Sequence, residues 1–187
     1  MRHAFVIAGL SLLLLSSPLM AAEVGGVKLA DKATVAGKEL VFNGAGIRTK
    51  VVFKVYVASL YLPAKAGDLA GVLAANPRRV QLNLLRDLSA DDLAGALADG
   101  IKETSSAEQA AAVKTQTEQL LSIMKSVGKA RTGDIVTMDF VGGETRIAFN
   151  GQAKGTIAGE PFNAALMRIW LADKPVQPDL RKAMLGG

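Results

Sequence analysis

The sequence of 187 residues predicts an α+β domain in which helices lie on a mostly antiparallel sheet. Its first half is rich in apolar and alternating segments that are typical of strands, and its middle carries two segments that begin with helix-capping serines. A second set of strands, joined by glycine-containing turns, precedes a last helical stretch. No internal repeat or low-complexity linker divides the chain, so we expect a single domain.

The first 22 residues have the pattern of a secretory signal peptide. A basic start is followed by an apolar run over residues 4–15 and by a stretch of small residues over 16–22. An uncleaved anchor helix is the alternative, but this run is shorter than the roughly 18 to 20 residues that a membrane span needs. We therefore expect export to the periplasm, cleavage after Ala21 or Ala22, and a single mature domain over residues 23–187.

The residue types narrow the chemistry of the mature chain. It has no cysteine, and its one histidine, His3, lies in the predicted signal peptide. Zinc sites with thiolate or imidazole ligands, Ser-His-Asp triads and cysteine nucleophiles are thereby excluded. No phosphate-binding or dinucleotide fingerprint occurs either, so we expect neither a metal nor a cofactor. Arginine, lysine, tyrosine and carboxylates remain.

The net charge of +5 raises the question of an acidic partner. Lysines and arginines are dispersed, and no aromatic residues interleave with them, which argues against a nucleic-acid partner. The positive charge is compatible with an acidic ligand or with anionic lipid headgroups. No segment after the signal peptide is apolar enough to predict a transmembrane helix.

The first strands are predicted from alternation and from glycine turns. Residues 27–35 and 38–42 form a hairpin, and the glycines of residues 43–46 predict the next turn. Residues 49–62 form the longest strand. Both of its faces are largely apolar, which places it inside the sheet with cover on both sides.

The remaining elements follow in order. A short helix over residues 67–75 and a half-buried strand over 79–85 come first. Serines then begin two helices, over residues 89–102 and 106–125, and Asp91 and Asp92 are expected to cap the first of them. The last elements are a three-stranded meander and two helices, predicted over residues 134–141, 144–150, 152–157, 160–171 and 178–184.

Arg48 and Tyr56 are the candidate ligand-binding residues. A guanidinium remains charged when partly buried and can hold a carboxylate through two parallel hydrogen bonds. The offset of eight residues puts both side chains on one face of a strand, but a straight strand separates them by about 26 Å. A bend or bulge is needed to bring them together. For both residues a purely structural role remains open, and Tyr61 is expected in the core.

Two other side chains have simpler interpretations. Arg86 is expected to pair with Asp87 or Asp91 close to it in sequence. Trp170 belongs to an apolar helical stripe that is expected to pack against the sheet.

Two segments carry a resemblance to a known family. The run Asn43-Gly-Ala-Gly-Ile-Arg48 with the strand that follows it, and the stretch from Asn150 through Leu171, resemble the chalcone isomerase family. The likeness is greatest to bacterial exported chalcone isomerase-like proteins. It implies an open-faced β-sandwich, in which a helical layer covers an antiparallel sheet and a ligand cleft lies between them.

The resemblance also implies what the chain does. Plant members close a chalcone into a flavanone, plastid relatives bind fatty acids, and in both an arginine at the position of Arg48 contacts the ligand. The catalytic pattern is incomplete here. Tyr56 stands where the enzymes have a threonine, residues 88–102 contain neither Tyr nor Asn, and Arg168 replaces a hydroxyl residue. The resemblance therefore favours the binding branch of the family.

Three hypotheses follow. The first is a periplasmic, non-catalytic protein that binds a small apolar acid such as a fatty acid, with Arg48 and Tyr56 in a cleft between sheet and helices. The second is a cofactor-independent isomerase in which Arg48 polarises the substrate and Tyr56 donates a proton or positions water. The third is a partner-binding module whose cleft is closed.

Overall fold

A computed structural model describes residues 20–187, so the predicted signal peptide lies almost wholly outside the described residues. The strands are β1 Met20–Val24, β2 Val27–Ala30, β3 Lys32–Val35, β4 Lys38–Lys50, β5 Phe53–Leu62, β6 Arg78–Leu84, β7 Leu88–Ser89, β8 Lys129–Ala130, β9 Ile135–Val141, β10 Glu144–Phe149 and β11 Gln152–Ala158. The helices are α1 Leu69–Ala74, α2 Ala90–Thr104, α3 Ala107–Ala112, α4 Lys114–Lys125, α5 Glu160–Leu171 and α6 Pro178–Met184. Within these residues no helix is long and apolar enough to cross a membrane.

Seven strands form one antiparallel sheet in the order β11-β10-β9-β6-β5-β4-β3. The main core lies on one face, where apolar side chains of β5, β6 and β9 meet those of α2, α4 and α5. A smaller cluster of Val35, Leu40 and Tyr61 lies apart from that core. The predicted α+β class and the antiparallel sheet covered by a helical layer are confirmed.

The predicted turn at residues 43–46 is wrong. β4 runs through both glycines without a break and ends at Lys50, and the chain reverses at Val51 and Val52. The glycines instead let α6 lie close to the strand. A Cβ atom on Gly44 would lie 2.8 Å from the Met184 carbonyl oxygen, and one on Gly46 would lie 3.0 Å from Leu180 Cδ1. The residues of the strand predicted over 49–62 are therefore divided between β4 and β5.

β5 occupies the interior position that its sequence predicts. It pairs with β4 on one side and with β6 on the other. Each of its residues from Tyr56 to Leu62 is buried, whichever face of the sheet the side chain points to. The two apolar faces of this strand are therefore explained by cover on both sides.

The capping serines are those that the sequence predicts, but one of the predicted helices is divided into two. Ser89 accepts a hydrogen bond from the Asp92 amide and begins α2, and Ser106 and Gln109 form a reciprocal capping box at the start of α3. The single helix predicted over 106–125 is broken at Val113, whose backbone leaves the helical conformation (φ −113°, ψ 15°). The Val113 side chain is buried in the core at this break, which separates α3 from α4.

The last third of the chain matches its prediction closely. The β9–β10 and β10–β11 turns lie at Gly142-Gly143 and Asn150-Gly151, and all four residues have positive φ, as type I′ turns require. α5 and α6 have the predicted bounds. These elements place one side of α5 over the sheet and bring α6 against β4.

Candidate functional site

Arg48 and Tyr56 are directly opposite each other on the neighbouring strands β4 and β5. Their side chains therefore share one face of the sheet. The register shifts next to this pair, because Thr49 is opposite Lys54 and Val55 is left as an extra residue on β5. A bulge of this kind changes the direction of the side chains around it. Val55, Tyr56 and Arg48 consequently line the same cavity.

The Arg48 guanidinium is half-buried and held from one side only. Its Nη1 donates to the Thr49 carbonyl (2.9 Å), the Gln177 side-chain oxygen (3.3 Å) and the Val176 carbonyl (3.4 Å). Within residues 20–187, no carboxylate lies within 4.0 Å of the guanidinium. Among the described residues, Nε and Nη2 make no hydrogen bond to a carbonyl or a carboxylate, and the Tyr56 hydroxyl lies beside the guanidinium.

Gln177 positions this arginine. Its amide nitrogen donates to the Ile47 carbonyl at 3.0 Å, and its amide oxygen accepts from the Thr49 amide at 2.9 Å as well as from Arg48. The side chain thus satisfies the free edge of β4 beyond Val41, the last residue of that strand to pair with β3. Gln177, in the loop before α6, therefore makes the hydrogen bonds that a neighbouring strand would make, and it also holds Arg48 in place.

Tyr56 is 5% exposed and lies under α5. The indole Nε1 of Trp170 donates to the Tyr56 hydroxyl at 3.1 Å, and both groups are buried. Burial raises the pKa of Tyr56 above its ordinary value, whereas the hydrogen bond from Trp170 and both the positive charge and the hydrogen bonding of the neighbouring Arg48 act against that rise. The phenol therefore stays neutral at physiological pH and can donate its own proton to a ligand oxygen.

The cavity beside this pair has a volume of about 110 Å³, and α2 and α5 contribute Gly100 and Ile169 to its wall. A wider cleft of about 350 Å³ adjoins it between the β4–β5 hairpin and α2, and Tyr56 and Val55 line both spaces. We call the two spaces together the Arg48 cleft. Gly100 belongs here for a steric reason, because a Cβ at this position would lie 2.9 Å from Ile169 Cγ2.

Charges of both signs lie around the Arg48 cleft. Lys50 on β4 and the exposed carboxylates Asp99 and Glu103 on α2 line its inner cavity. Arg86 lines the outer part, where its guanidinium lies 4.7 Å from the centre of the Phe53 ring. Charged side chains therefore line both parts of the cleft, together with apolar residues such as Val55, Leu93 and Ile169.

The predicted pairing of Arg86 with Asp87 or Asp91 is wrong. Asp87 accepts hydrogen bonds from the amide and hydroxyl of Thr132, at 2.8 and 3.1 Å. Asp91 lies 4.0 Å from Lys125. Arg86 stacks on Phe53 because the hairpin that carries Phe53 ends beside it, which local sequence spacing does not reveal.

Several other predictions can be placed on the structure. Asp91 and Asp92 lie in the first turn of α2, where carboxylates complement the helix dipole, but the side chain that caps the helix is Ser89. Trp170 packs in the core, as expected. Tyr61 is also buried, and its hydroxyl donates to the Ala30 carbonyl at 3.2 Å. Arg168 lies away from the Arg48 cleft, on a surface depression that Glu103 shares. No cluster of three potential metal ligands occurs among the described residues.

The sequence interpretation missed Gln177 and the two carboxylates of α2. No local sequence pattern identifies Gln177, since its role depends on where the pairing between β3 and β4 stops. Asp99 and Glu103 are four residues apart on one helix, a spacing that puts them on the same face and was an available signal.

A comparison with protein-family models matches residues 21–186 to the chalcone isomerase-like family. The chain belongs to the chalcone isomerase-like family. Among solved structures, its fold is similar to that of a fatty-acid binding protein of Arabidopsis thaliana, with a TM-score of 0.66 and 11% sequence identity. The match covers 86% of this chain and 92% of the plant protein. None of the curated proteins matches this sequence.

Membership of the chalcone isomerase-like family confirms the resemblance drawn from the two sequence segments. The likeness to the plant structure confirms the fold, because it extends over most of both chains. At 11% identity it carries no information about individual side chains. The roles of Arg48 and Tyr56 therefore depend on their surroundings in this protein.

Proposed function

We propose that this chalcone isomerase-like protein binds a small apolar acid, such as a fatty acid, in the Arg48 cleft. Arg48 holds the carboxylate, Tyr56 donates to it, and the apolar walls take the tail. The protein acts in the periplasm after removal of residues 1–22, and it binds its ligand without converting it. The similar plant structure is that of a fatty-acid binding protein, which supports this class of ligand.

The observation that carries the proposal is the one-sided environment of the Arg48 guanidinium. Nη1 is engaged by two carbonyls and an amide oxygen, whereas Nε and Nη2 are hydrogen-bonded to no carbonyl or carboxylate among the described residues, and the Tyr56 hydroxyl lies beside the guanidinium. Two parallel N–H groups are the donors that a carboxylate accepts bidentately. Beside a phenol that stays neutral, they form a three-donor site for one carboxylate.

The size and chemistry of the cleft agree with an apolar tail. The outer part alone, at about 350 Å³, lies within the range of roughly 300 to 1,000 Å³ that is common for small-molecule pockets. Val55 and Leu93 supply apolar surface to this outer part, and Ile169 supplies it to the inner cavity. The interior is not filled by side chains, so the hypothesis of a closed cleft has no support in this geometry.

The isomerase hypothesis is less well supported by the same residues. General acid–base catalysis is most effective when the pKa of the catalytic group lies near the working pH. Burial moves the pKa of Tyr56 further above that range. The tyrosine is therefore better suited to hydrogen-bonding an oxygen than to transferring a proton.

Native mass spectrometry of the protein purified from a bacterial periplasm tests the proposal. The full sequence is expressed with export, and the mass also reports whether the chain begins after Ala21 or Ala22. We expect an adduct with the mass of an alkanoic acid, which Arg48→Gln loses and Arg146→Gln on β10 retains. A protein that is free of adducts and binds no added fatty acid would contradict the proposal.

A further inference from the structure

The turn between β4 and β5 differs in chemistry from the other two-residue hairpin turns of the described chain. Its central residues are Val51 and Val52, and Phe53 follows at the start of β5. The others all contain glycine: Gly25-Gly26, Ala36-Gly37, Gly142-Gly143 and Asn150-Gly151. We call Val51, Val52 and Phe53 the hairpin tip.

The hairpin tip is the most exposed large apolar group among the described residues. Val51, Val52 and Phe53 are 88%, 78% and 56% exposed. Val51 also has a φ of +58°, which is a rare conformation for a β-branched residue, and glycine usually occupies this position of a type II′ turn. Stability alone would favour glycine or asparagine here, so the valine points to a function of the tip.

The residues that flank the tip in sequence, and the side chain stacked on it, are basic. Lys50 and Lys54 flank it directly in sequence and are exposed, and Arg86 stacks on the Phe53 ring. Carboxylates lie near this end of the molecule as well: Asp92 lines the outer part of the Arg48 cleft, Asp91 precedes it on α2 beside Lys125, and Asp87 is hydrogen-bonded to Thr132. The two lysines are the charged residues closest in sequence to the apolar side chains, so positive charge directly flanks the tip on both sides.

We propose that the hairpin tip docks this protein onto a membrane that contains anionic phospholipids. The apolar side chains enter the interface, while Lys50 and Lys54 contact the lipid headgroups. Long basic side chains suit this position, because their stems can lie along apolar surface while the charge stays at the headgroup level. The inference goes beyond the proposed function and does not depend on what the cleft binds.

A second copy of the chain is a poorer occupant of this surface. Stable protein–protein interfaces bury about 1,200 Å² or more in total, of which three side chains at the end of a narrow hairpin supply only a small part. A membrane needs no complementary shape and accepts a protruding tip. Because Val51 and Phe53 also line the Arg48 cleft, docking places the outer end of that cleft at the lipid surface.

Vesicle flotation tests the inference directly. The full sequence is expressed with export, and all variants are compared with the same N terminus, as read by mass spectrometry. We expect the protein to float with phosphatidylglycerol-containing vesicles at low salt and much less with phosphatidylcholine alone. Val52→Asp should lower the apparent partition coefficient by roughly tenfold or more. Val52 is exposed and lines neither part of the cleft, so its substitution leaves the fold and the ligand site intact.

A matched pair of double variants isolates the role of the lysines. Lys50→Gln with Lys54→Gln should weaken binding by roughly fivefold for each lysine. Lys38→Gln with Lys65→Gln removes the same charge farther from the tip, at about 40 Å along β4 for Lys38 and about 23 Å for Lys65, whose neighbour Ala66 is bonded to Asn43. Both distances exceed the Debye length, so this pair should change binding by less than about twofold. Equal losses in both pairs would mean that net charge alone attracts the protein, and they would overturn the proposal.

Site-specific labelling gives an independent measurement. The chain has no cysteine, so Val52→Cys and Ala36→Cys each accept one environment-sensitive fluorophore, and each lies at a hairpin turn. Vesicles should shift the emission of the label at residue 52 to the blue and leave the label at residue 36 unchanged. The absence of flotation, equal shifts at both sites, or a Val52→Asp variant that changes only the oligomeric mass would each overturn membrane docking.

Discussion

Arg48 and Tyr56 face each other across β4 and β5, although eight residues separate them in the sequence. The reversal at Val51 and Val52 brings them together, and the extra residue Val55 turns the pair toward one cavity. A cation and a neutral phenol then occupy the inner end of a cleft that has apolar walls. The arrangement suits the binding of one carboxylate, and each part of it can be tested separately.

The hydrogen bond between Trp170 and Tyr56 should contribute measurably to stability. Tyr56→Phe removes the acceptor of the buried indole N–H and leaves that donor unpaired. An unsatisfied buried donor costs about 1 to 3 kcal/mol, so we expect the free energy of unfolding to fall by that amount in urea denaturation. Tyr61→Phe is the control, since it leaves only the Ala30 carbonyl without this partner. Equal stability of Tyr56→Phe and the wild type would contradict the geometry.

The same phenol should make stability depend on pH in the alkaline range. Burial raises the pKa of Tyr56 in the folded protein above the ordinary value of 10.0. Above about pH 10 the unfolded state loses this proton while the folded state keeps it, so the free energy of unfolding falls as the pH rises. The contribution is fully present below that pH. Other groups titrate there too, so the measured quantity is the stability difference between wild type and Tyr56→Phe, which should shrink from pH 9 to pH 11. A constant difference would contradict the assignment.

Two glycines of α2 should respond oppositely to alanine. Nothing lies within 4 Å of a Cβ added at Gly95, so Gly95→Ala should raise the free energy of unfolding by about 0.5 to 1 kcal/mol through helix propensity. A Cβ at Gly100 would meet Ile169 Cγ2 at 2.9 Å, and overpacking of this kind costs about 1 to 3 kcal/mol. Thermal unfolding of both variants measures the contrast. Stabilisation by both substitutions would show that α2 and α5 are not in close contact.

The carboxylates of α2 should weaken the binding of an acid. Asp99 and Glu103 line the inner cavity together with Arg48, so Asp99→Asn with Glu103→Gln should raise fatty-acid affinity by roughly two- to fivefold at low salt. Glu108→Gln with Glu118→Gln makes the same change in net charge on α3 and α4 and should have little effect. The gain should disappear at high salt, as measured by calorimetric titration. A gain of the same size in both double variants would point to net charge rather than to the site.

The sequence was sufficient where local chemistry determines the structure. Capping serines, glycine turns and alternating strands predicted the meander and the last two helices with nearly correct bounds. The prediction failed at residues 43–46, because the sequence does not distinguish a glycine that makes room for a distant helix from a glycine that forms a turn. Only the contact between Gly44 and α6 distinguishes these cases, and that contact spans about 140 residues.

The candidate site was likewise predicted only in part, because its geometry depends on contacts between residues that are distant in the sequence. Arg48 and Tyr56 could be named from the sequence. The distance between them could not be predicted, since it depends on an unusual Val-Val turn. Gln177 could not be found at all, because its side chain completes a strand edge that exists only in the folded sheet. The stacking of Arg86 on Phe53 likewise requires the hairpin to end beside it.

The most direct test of the account compares an acid with its alcohol. Isothermal titration of wild type and Arg48→Gln with a long-chain fatty acid and the fatty alcohol of equal length isolates the bond between guanidinium and carboxylate. A charged hydrogen bond contributes about 1.5 to 3 kcal/mol, so the substitution should weaken acid binding by roughly tenfold to a hundredfold and change alcohol binding little. Equal losses for acid and alcohol, or no loss for the acid, would contradict the role of Arg48 as the carboxylate anchor.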